Sequence, residues 1–385
     1  MSQNTLPYKI VLSALLLLVV GCSSDAATSP EPWVYVQPEQ VDDGWETASL
    51  AEVGIDEAPL ARLMNRVRAD RDNTVHSILI VAGGRLVFEE YFAGRTHPTY
   101  GERAITYDRE TLHCLSSVTK SVTATLLGLA IAEGFIATED EPIFDFLPDY
   151  ADLNTGQKGD ITLEHLVTMS AGLEWDEQSH PIGDMRNDIT AWFRYSGDLM
   201  RFVLERPVVA DPGTAFVYNG GITNVLGQII GRATGERLDQ FSARLFAPLG
   251  ITQYTWYFLR PDFVYASGDI SLRPRDMAKL GQLYLQGGVW EGERLLPAEW
   301  VAASATPAFT LQNPWYGHVG YSYGWWPKSL QYGAGAYAAS GWGDQVILVM
   351  PAYDMVVVFT GGGYWRAPSI TSHAMMIEYI LPAVR

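Results

Sequence analysis

Two cysteines in 385 residues set the first limit. Cys22 ends an apolar N-terminal segment, so the chain beyond it holds only Cys114 and can form no internal disulfide. Stability there has to come from packing. Cys114 lies in Leu112-His113-Cys114-Leu115 and reads as a small buried apolar residue. Lysine is scarce too: Lys9, Lys120, Lys158, Lys279 and Lys328 complete the set. With 26 basic against 44 acidic residues the formal charge is −18, which repels nucleic acid and favours solubility. Loss of a leader carrying Lys9 would make it −19 (−18 less the +1 of Lys9). The histidines at 76, 97, 113, 165, 180, 318 and 373 show no His-x-x-x-His pairing, so neither a zinc site nor a cofactor is expected. No serine sits in a Gly-x-Ser-x-Gly elbow, which argues against an α/β-hydrolase. The apolar run from Ile10 to Val20 gives only about 16 Å of helix, too short for a bilayer core of about 30 Å.

Lys9, that run and Gly21-Cys22 together read as a secretion signal over residues 1–22. Val19-Val20-Gly21-Cys22 also resembles the bacterial lipobox. The resemblance implies lipidation of Cys22, export and a membrane partner through the lipid. Ser23 suits the outer membrane if the host is Gram-negative; an ordinary signal peptide cut elsewhere is the other reading. Residues 23–45, rich in Ser, Ala, Thr, Pro, Asp and Glu, read as a flexible tether, and 46–385 as the folded domain.

Within that domain Pro59 to Asp72 reads as an amphipathic helix. His76 to Phe92 alternates around Gly83-Gly84 as a β-hairpin, and a helix runs from about Ser117 to Glu133. Helical periods then dominate, with Thr162 as an N-cap and a helix over Ile222 to Arg232. Strand signals return at Tyr321–Trp326, Gln345–Met350 and Met355–Thr360, before a last helix over Ser372–Ile380. The expected fold is α+β: an antiparallel sheet flanked by N- and C-terminal helices, built from about 46–125 and 265–385. A large all-helical insertion over about 126–264 leaves an active-site cleft between the two parts.

The chemical signal is Ser116-Ser117-Val118-Thr119-Lys120-Ser121. Positions i and i+3 share a helix face, so the Ser117 hydroxyl and Lys120 amine can meet. Serine needs an adjacent base, and lysine serves as one where burial or a positive dipole lowers its pKa from about 10.4. Val122, Leu126, Leu127, Leu129 and Ile131 supply the burial, and the helix N-terminus the dipole. A capped helix with a snorkelling lysine is the plain alternative, against which stands the cost of an unpaired lysine in an apolar helix. His113, near in sequence, reads as a flanking loop residue.

Ser-x-x-Lys is the first motif of the serine β-lactamase and penicillin-binding-protein superfamily, and later segments resemble its esterase and class C branch. They are Ile161-Thr162-Leu163-Glu164-His165-Leu166-Val167-Thr168-Met169-Ser170-Ala171-Gly172-Leu173, Pro212-Gly213-Thr214 with Phe216-Val217-Tyr218-Asn219, and Arg275-Asp276-Met277-Ala278-Lys279-Leu280-Gly281 with Gly287-Gly288-Val289-Trp290. The likeness runs from about residue 55 to 380. It implies an acyl-enzyme on Ser117, Lys120 as general base and Tyr218 as proton relay.

Two motifs depart from the pattern. Tyr-x-Asn reads Tyr218-Asn219-Gly220, leaving Asn219 as a candidate substrate contact. The third motif reads Ala339-Ser340-Gly341-Trp342-Gly343, with Ala339 where a basic residue is usual. By the resemblance Ser340, Gly341 and Trp342 line the substrate site, and the Ser117 and Trp342 N–H groups hold the oxyanion. Loss of the cation favours neutral esters or linear amides over β-lactams, and the Gly-aromatic-Gly ending resembles that of family esterases and of nylon-oligomer-type amide hydrolases. Trp325, Trp326, Tyr337 and Trp342 suit a cleft wall or the core. The expected partner is a small ester or amide, with no nucleic acid; oligomeric state stays open. A β-lactamase or DD-peptidase, and a catalytically weak cell-wall binding protein of the same fold, are the alternatives.

Overall fold

A computed structural model of the chain describes residues 32–311 and 317–384. The expected secretion signal over residues 1–22 and the expected lipidation site Cys22 lie outside the described residues.

The sheet begins with β1 (Val75–Ala82) and β2 (Arg85–Tyr91), joined at Gly83-Gly84. Both glycines take positive φ (57° and 73°), which a tight hairpin turn requires. Four strands follow late in the chain: β3 (Trp326–Pro327), β4 (Tyr337–Gly341), β5 (Gln345–Met350) and β6 (Met355–Gly361). The order is β3-β4-β5-β6-β1-β2 with every pairing antiparallel, β1 meeting β6 at Ser77↔Thr360 and Leu79↔Val358.

All eight β1 residues are buried because helices cover both faces. Ile78 and Ile80 pack with α1 (Glu57–Ala69) and with the C-terminal segments Ser372–Met375, Met376–Ile380 and Leu381–Val384, whose middle piece is a π turn. Leu79 and Val81 join the opposite core with α2 (Val118–Ala132), α3 (Gly220–Thr234) and α4 (Pro274–Leu285). In α4, a β-carbon at Gly281 would lie 2.5 Å from Val356 Cγ1, so this helix rests directly on the sheet. The α2 sequence VTKSVTATLLGLAIA is buried from Val118 to Ala130, between sheet and insert.

Three expectations change. Residues 33–45 are not a tether. Trp33 is 7% exposed and donates from its indole to Glu90 (2.6 Å). The indole of Trp45 donates to the Arg275 carbonyl (3.1 Å), and the Arg275 guanidinium to Asp43 (2.9 Å). The two tryptophans anchor a stretch whose average composition is polar. The insertion is not all-helical: helices run to Phe246, then Tyr254–Thr255 pairs with Ser271–Leu272 and Phe258–Arg260 with Phe263–Val264. Aromatic and β-branched residues there satisfy short ladders. Finally, Tyr321–Trp326 is a hairpin, not one strand: Ser322 and Trp325 exchange both backbone hydrogen bonds, with Tyr323 and Gly324 at φ 46° and 81°.

Candidate active site

Ser116 takes a left-handed backbone (φ 46°), which turns the chain so that Ser117 becomes the N-cap of α2. One turn on, Lys120 is 5% exposed, and its Nζ donates to Ser117 Oγ (3.2 Å) and to the Ser267 carbonyl (2.9 Å). The helical spacing has brought the pair together.

Tyr218 precedes α3 and packs beside them. Lys120 Nζ lies 4.8 Å from the centre of its ring, which also stacks on Trp326 (5.8 Å) and meets Tyr321 edge-on (6.3 Å). Contact is through the ring face; among the described residues no hydrogen bond joins the Tyr218 hydroxyl to Ser117 or Lys120. At β4, a β-carbon on Gly341 would lie 2.3 Å from the Leu115 carbonyl and 3.1 Å from the Ser117 nitrogen. Only glycine lets the strand approach Ser117 so closely. Among the described residues neither the Ser117 nor the Trp342 N–H donates a hydrogen bond.

Ser117 stands where two lobes of one cleft meet. The larger, about 450 Å³, holds Lys120, Tyr218, Trp326, Ser340 and Gly341; the smaller, about 270 Å³, holds His97, Thr190, Phe193 and Asp269. Ile182, Ile189, Tyr265 and Trp342 line both. Trp325 and Tyr337 belong instead to the core.

Asn219 is a correction. The residue is 2% exposed and its side-chain oxygen accepts the Ile222 N–H (3.1 Å), capping α3 instead of facing substrate. The third motif also needs amending: Ala339 points into the core, but a cation reaches the larger lobe as Lys328, beyond β3. Burial lowers Lys328 to about 7, opposed by the charge of Asp344 in the same lobe. Asp344 is itself pushed up by burial, while Ser372 donates to both its oxygens (2.6 Å each).

Sequence reasoning also missed Glu177. Its Oε2 accepts the Gly220 N–H and the Trp175 indole N–H, each at 2.7 Å. Burial raises its pKa, and the positive charge of Lys120 works against that rise. Nothing local marks it among 44 acidic residues.

One cluster resembles a metal-ligand set: His97, Cys114 and Asp269 offer atoms within 4.8 Å of one another. Its hydrogen bonds do not suit a metal. His97 Nδ1 accepts the Thr99 N–H (3.2 Å), which leaves the proton of a neutral ring on Nε2. The Cys114 thiol, pushed up by burial, donates to Asp269 (3.4 Å).

An antiparallel sheet, a mainly helical insert and a Ser–Lys pair at the head of the helix between them define the serine β-lactamase-like class. The chain belongs to the Beta-lactamase family, whose model matches residues 60–361. It is 26% identical over 253 residues to the 6-aminohexanoate-dimer hydrolase of Paenarthrobacter ureafaciens, covering 64% of this chain and 60% of that protein. It is 30% identical over 172 residues to the monacolin J acid methylbutanoyltransferase of Aspergillus terreus, covering 40% of each. The match thus spans less than two thirds of either relative. A penicillin-binding protein homologue from Caulobacter crescentus shares the fold at TM-score 0.65 and 17% identity, over 85% of this chain and 97% of that one.

Proposed function

We propose that the protein is a serine hydrolase that cleaves esters or linear amides of small molecules through an acyl-enzyme on Ser117. The carrying observation is the 3.2 Å contact between Ser117 Oγ and Lys120 Nζ at the junction of the two lobes. The Lys120 amine takes the Ser117 proton as Oγ attacks the carbonyl carbon. Negative charge gathers on the carbonyl oxygen, facing the Ser117 and Trp342 N–H groups. The leaving group departs with a proton passed through Tyr218, and water then releases the acid and restores the serine. Relatives named as a 6-aminohexanoate-dimer hydrolase and a lovastatin esterase support this chemistry.

A fluorophosphonate probe tests the reading. Wild type should label, Ser117→Ala should not, and Lys120→Ala and Tyr218→Phe should label about 10²- to 10⁴-fold more slowly. An unlabelled wild type, or equal labelling of Ser117→Ala, overturns it. A short p-nitrophenyl ester should turn over and nitrocefin negligibly, because Asp344 already offsets the Lys328 charge. Comparable nitrocefin turnover would favour the β-lactamase reading instead.

We also infer export and lipid attachment at Cys22, supported by the segment from Lys9 to Cys22. Membrane fractionation should lose the protein on Cys22→Ser; unchanged partition would defeat the idea.

A further inference from the structure

Gly220 occupies the position where the second motif ordinarily carries an asparagine side chain, and the vacated space is filled. A β-carbon at Gly220 would lie 3.0 Å from Glu177 Oε2 and 3.2 Å from Ser267 Oγ. Ser267 is fixed by Asn224, whose amide donates to Ser267 Oγ (2.9 Å) and to the Gly220 carbonyl (2.7 Å). The Ser267 carbonyl in turn receives Lys120 Nζ (2.9 Å). Glu177 is therefore built into the frame that holds the base.

Its two oxygens differ. Oε2 is held by two N–H donors at 2.7 Å, which fixes the carboxylate. Oε1 takes no hydrogen bond among the described residues, although Glu177 lines the larger lobe together with Ser117 and Lys120. An oxygen of a cleft-lining carboxylate that has no donor from the protein is open to one supplied by a ligand. An asparagine side chain both donates and accepts; an ionised carboxylate only accepts. The exchange alters which substrates fit.

We propose that Glu177 is a specificity-determining residue that selects substrates presenting a donor nitrogen, an ammonium or an amide N–H, close to the scissile carbonyl. This rests on the hydrolase reading above and narrows it. A substrate whose matching position is a carbonyl or ether oxygen would set lone pairs against the carboxylate and be rejected. The apolar walls Ile182 and Ile189 carry the rest of the acyl chain.

The test uses p-nitrophenyl esters of linear acids, graded in chain length, whose ends are an ammonium, an acetamide N–H or a methyl group of matched size. At the best length the full-length wild type should favour a donor-ended ester by about tenfold or more in kcat/KM, mostly through KM. An ammonium preference identifies a cationic substrate, and an equal acetamide preference an amide. Glu177→Gln keeps an acceptor for Gly220 and Trp175 but loses the charge, so its ammonium preference should fall to about unity. Glu177→Asp should keep a reduced preference. Fluorophosphonate labelling of Ser117 in each variant separates a lost preference from a lost fold or a failed hydrolase reading. The proposal is overturned if wild type shows no preference at any length, or if the preference survives in a labelled Glu177→Gln.

Discussion

The residues read most readily from sequence are those whose partners are local. Ser117 and Lys120 lie three apart on one helix, and backbone geometry alone brings them within 3.2 Å. Asn219 shows the opposite case. Its motif position suggested substrate, but the first turn of α3 leaves N–H groups unsatisfied, and the nearest side-chain oxygen caps them. Asn219→Ala should therefore cost about 1 kcal/mol of stability, whereas Asn219→Asp or Asn219→Ser should cost little. Urea unfolding of the three variants beside p-nitrophenyl ester kinetics checks this. A large rise in KM with no loss of stability would return Asn219 to the substrate. Glu177 and Lys328 were illegible for a different reason: each reaches the cleft through tertiary folding from segments with no motif of their own.

Elements with strong period or turn chemistry matched their sequence reading, including the Gly83-Gly84 hairpin, α2 and the helix capped by Thr162. The failures have separate causes. The Tyr323-Gly324 turn places a tyrosine at positive φ, a conformation that residue preference does not announce. Residues 33–45 look disordered by average composition, yet their tryptophans are the parts that dock. Trp33 packs on Phe88 (5.9 Å between ring centres), its main-chain N–H donates to Asn65 (2.9 Å), and its indole binds Glu90. Trp33→Ala should then destabilise the domain by about 3 kcal/mol through lost packing and a carboxylate left short of a donor. Arg275 acts at the other end of the same arm, so the local loss should be visible as faster hydrogen exchange across residues 33–45. A melting temperature and exchange pattern equal to wild type would restore the tether.

For the whole molecule, the buried histidines set the response to acid. Burial lowers His76 and His318 to about 2, and pushes His165 and His373 down as well. Each holds a proton less readily in the fold than in an unfolded chain, where histidine titrates near 6.5. Unfolding therefore takes up protons below that pH, and stability falls as pH drops. For His318 the loss begins near pH 6.5 and continues to about 2, at about 1.4 kcal/mol per pH unit. The nearby positive charges of Lys328 and His373 act in the same direction. Glu90, Glu164, Glu177 and Asp344, raised by burial, have the opposite sign: the fold binds their protons more tightly, and stability falls as pH rises through their titration. These carboxyl groups partly mask the histidine slope in the wild type, so the informative quantity is a difference. His318→Gln removes one histidine and leaves the carboxyls in place. Urea unfolding at half-unit steps from pH 7.5 to 4.5 should find the variant less stable than wild type at the neutral end, with the gap closing by about 1.4 kcal/mol per unit below pH 6.5. A gap that stays constant over that range would mean that His318 is protonated inside the fold, against the direction set by its burial.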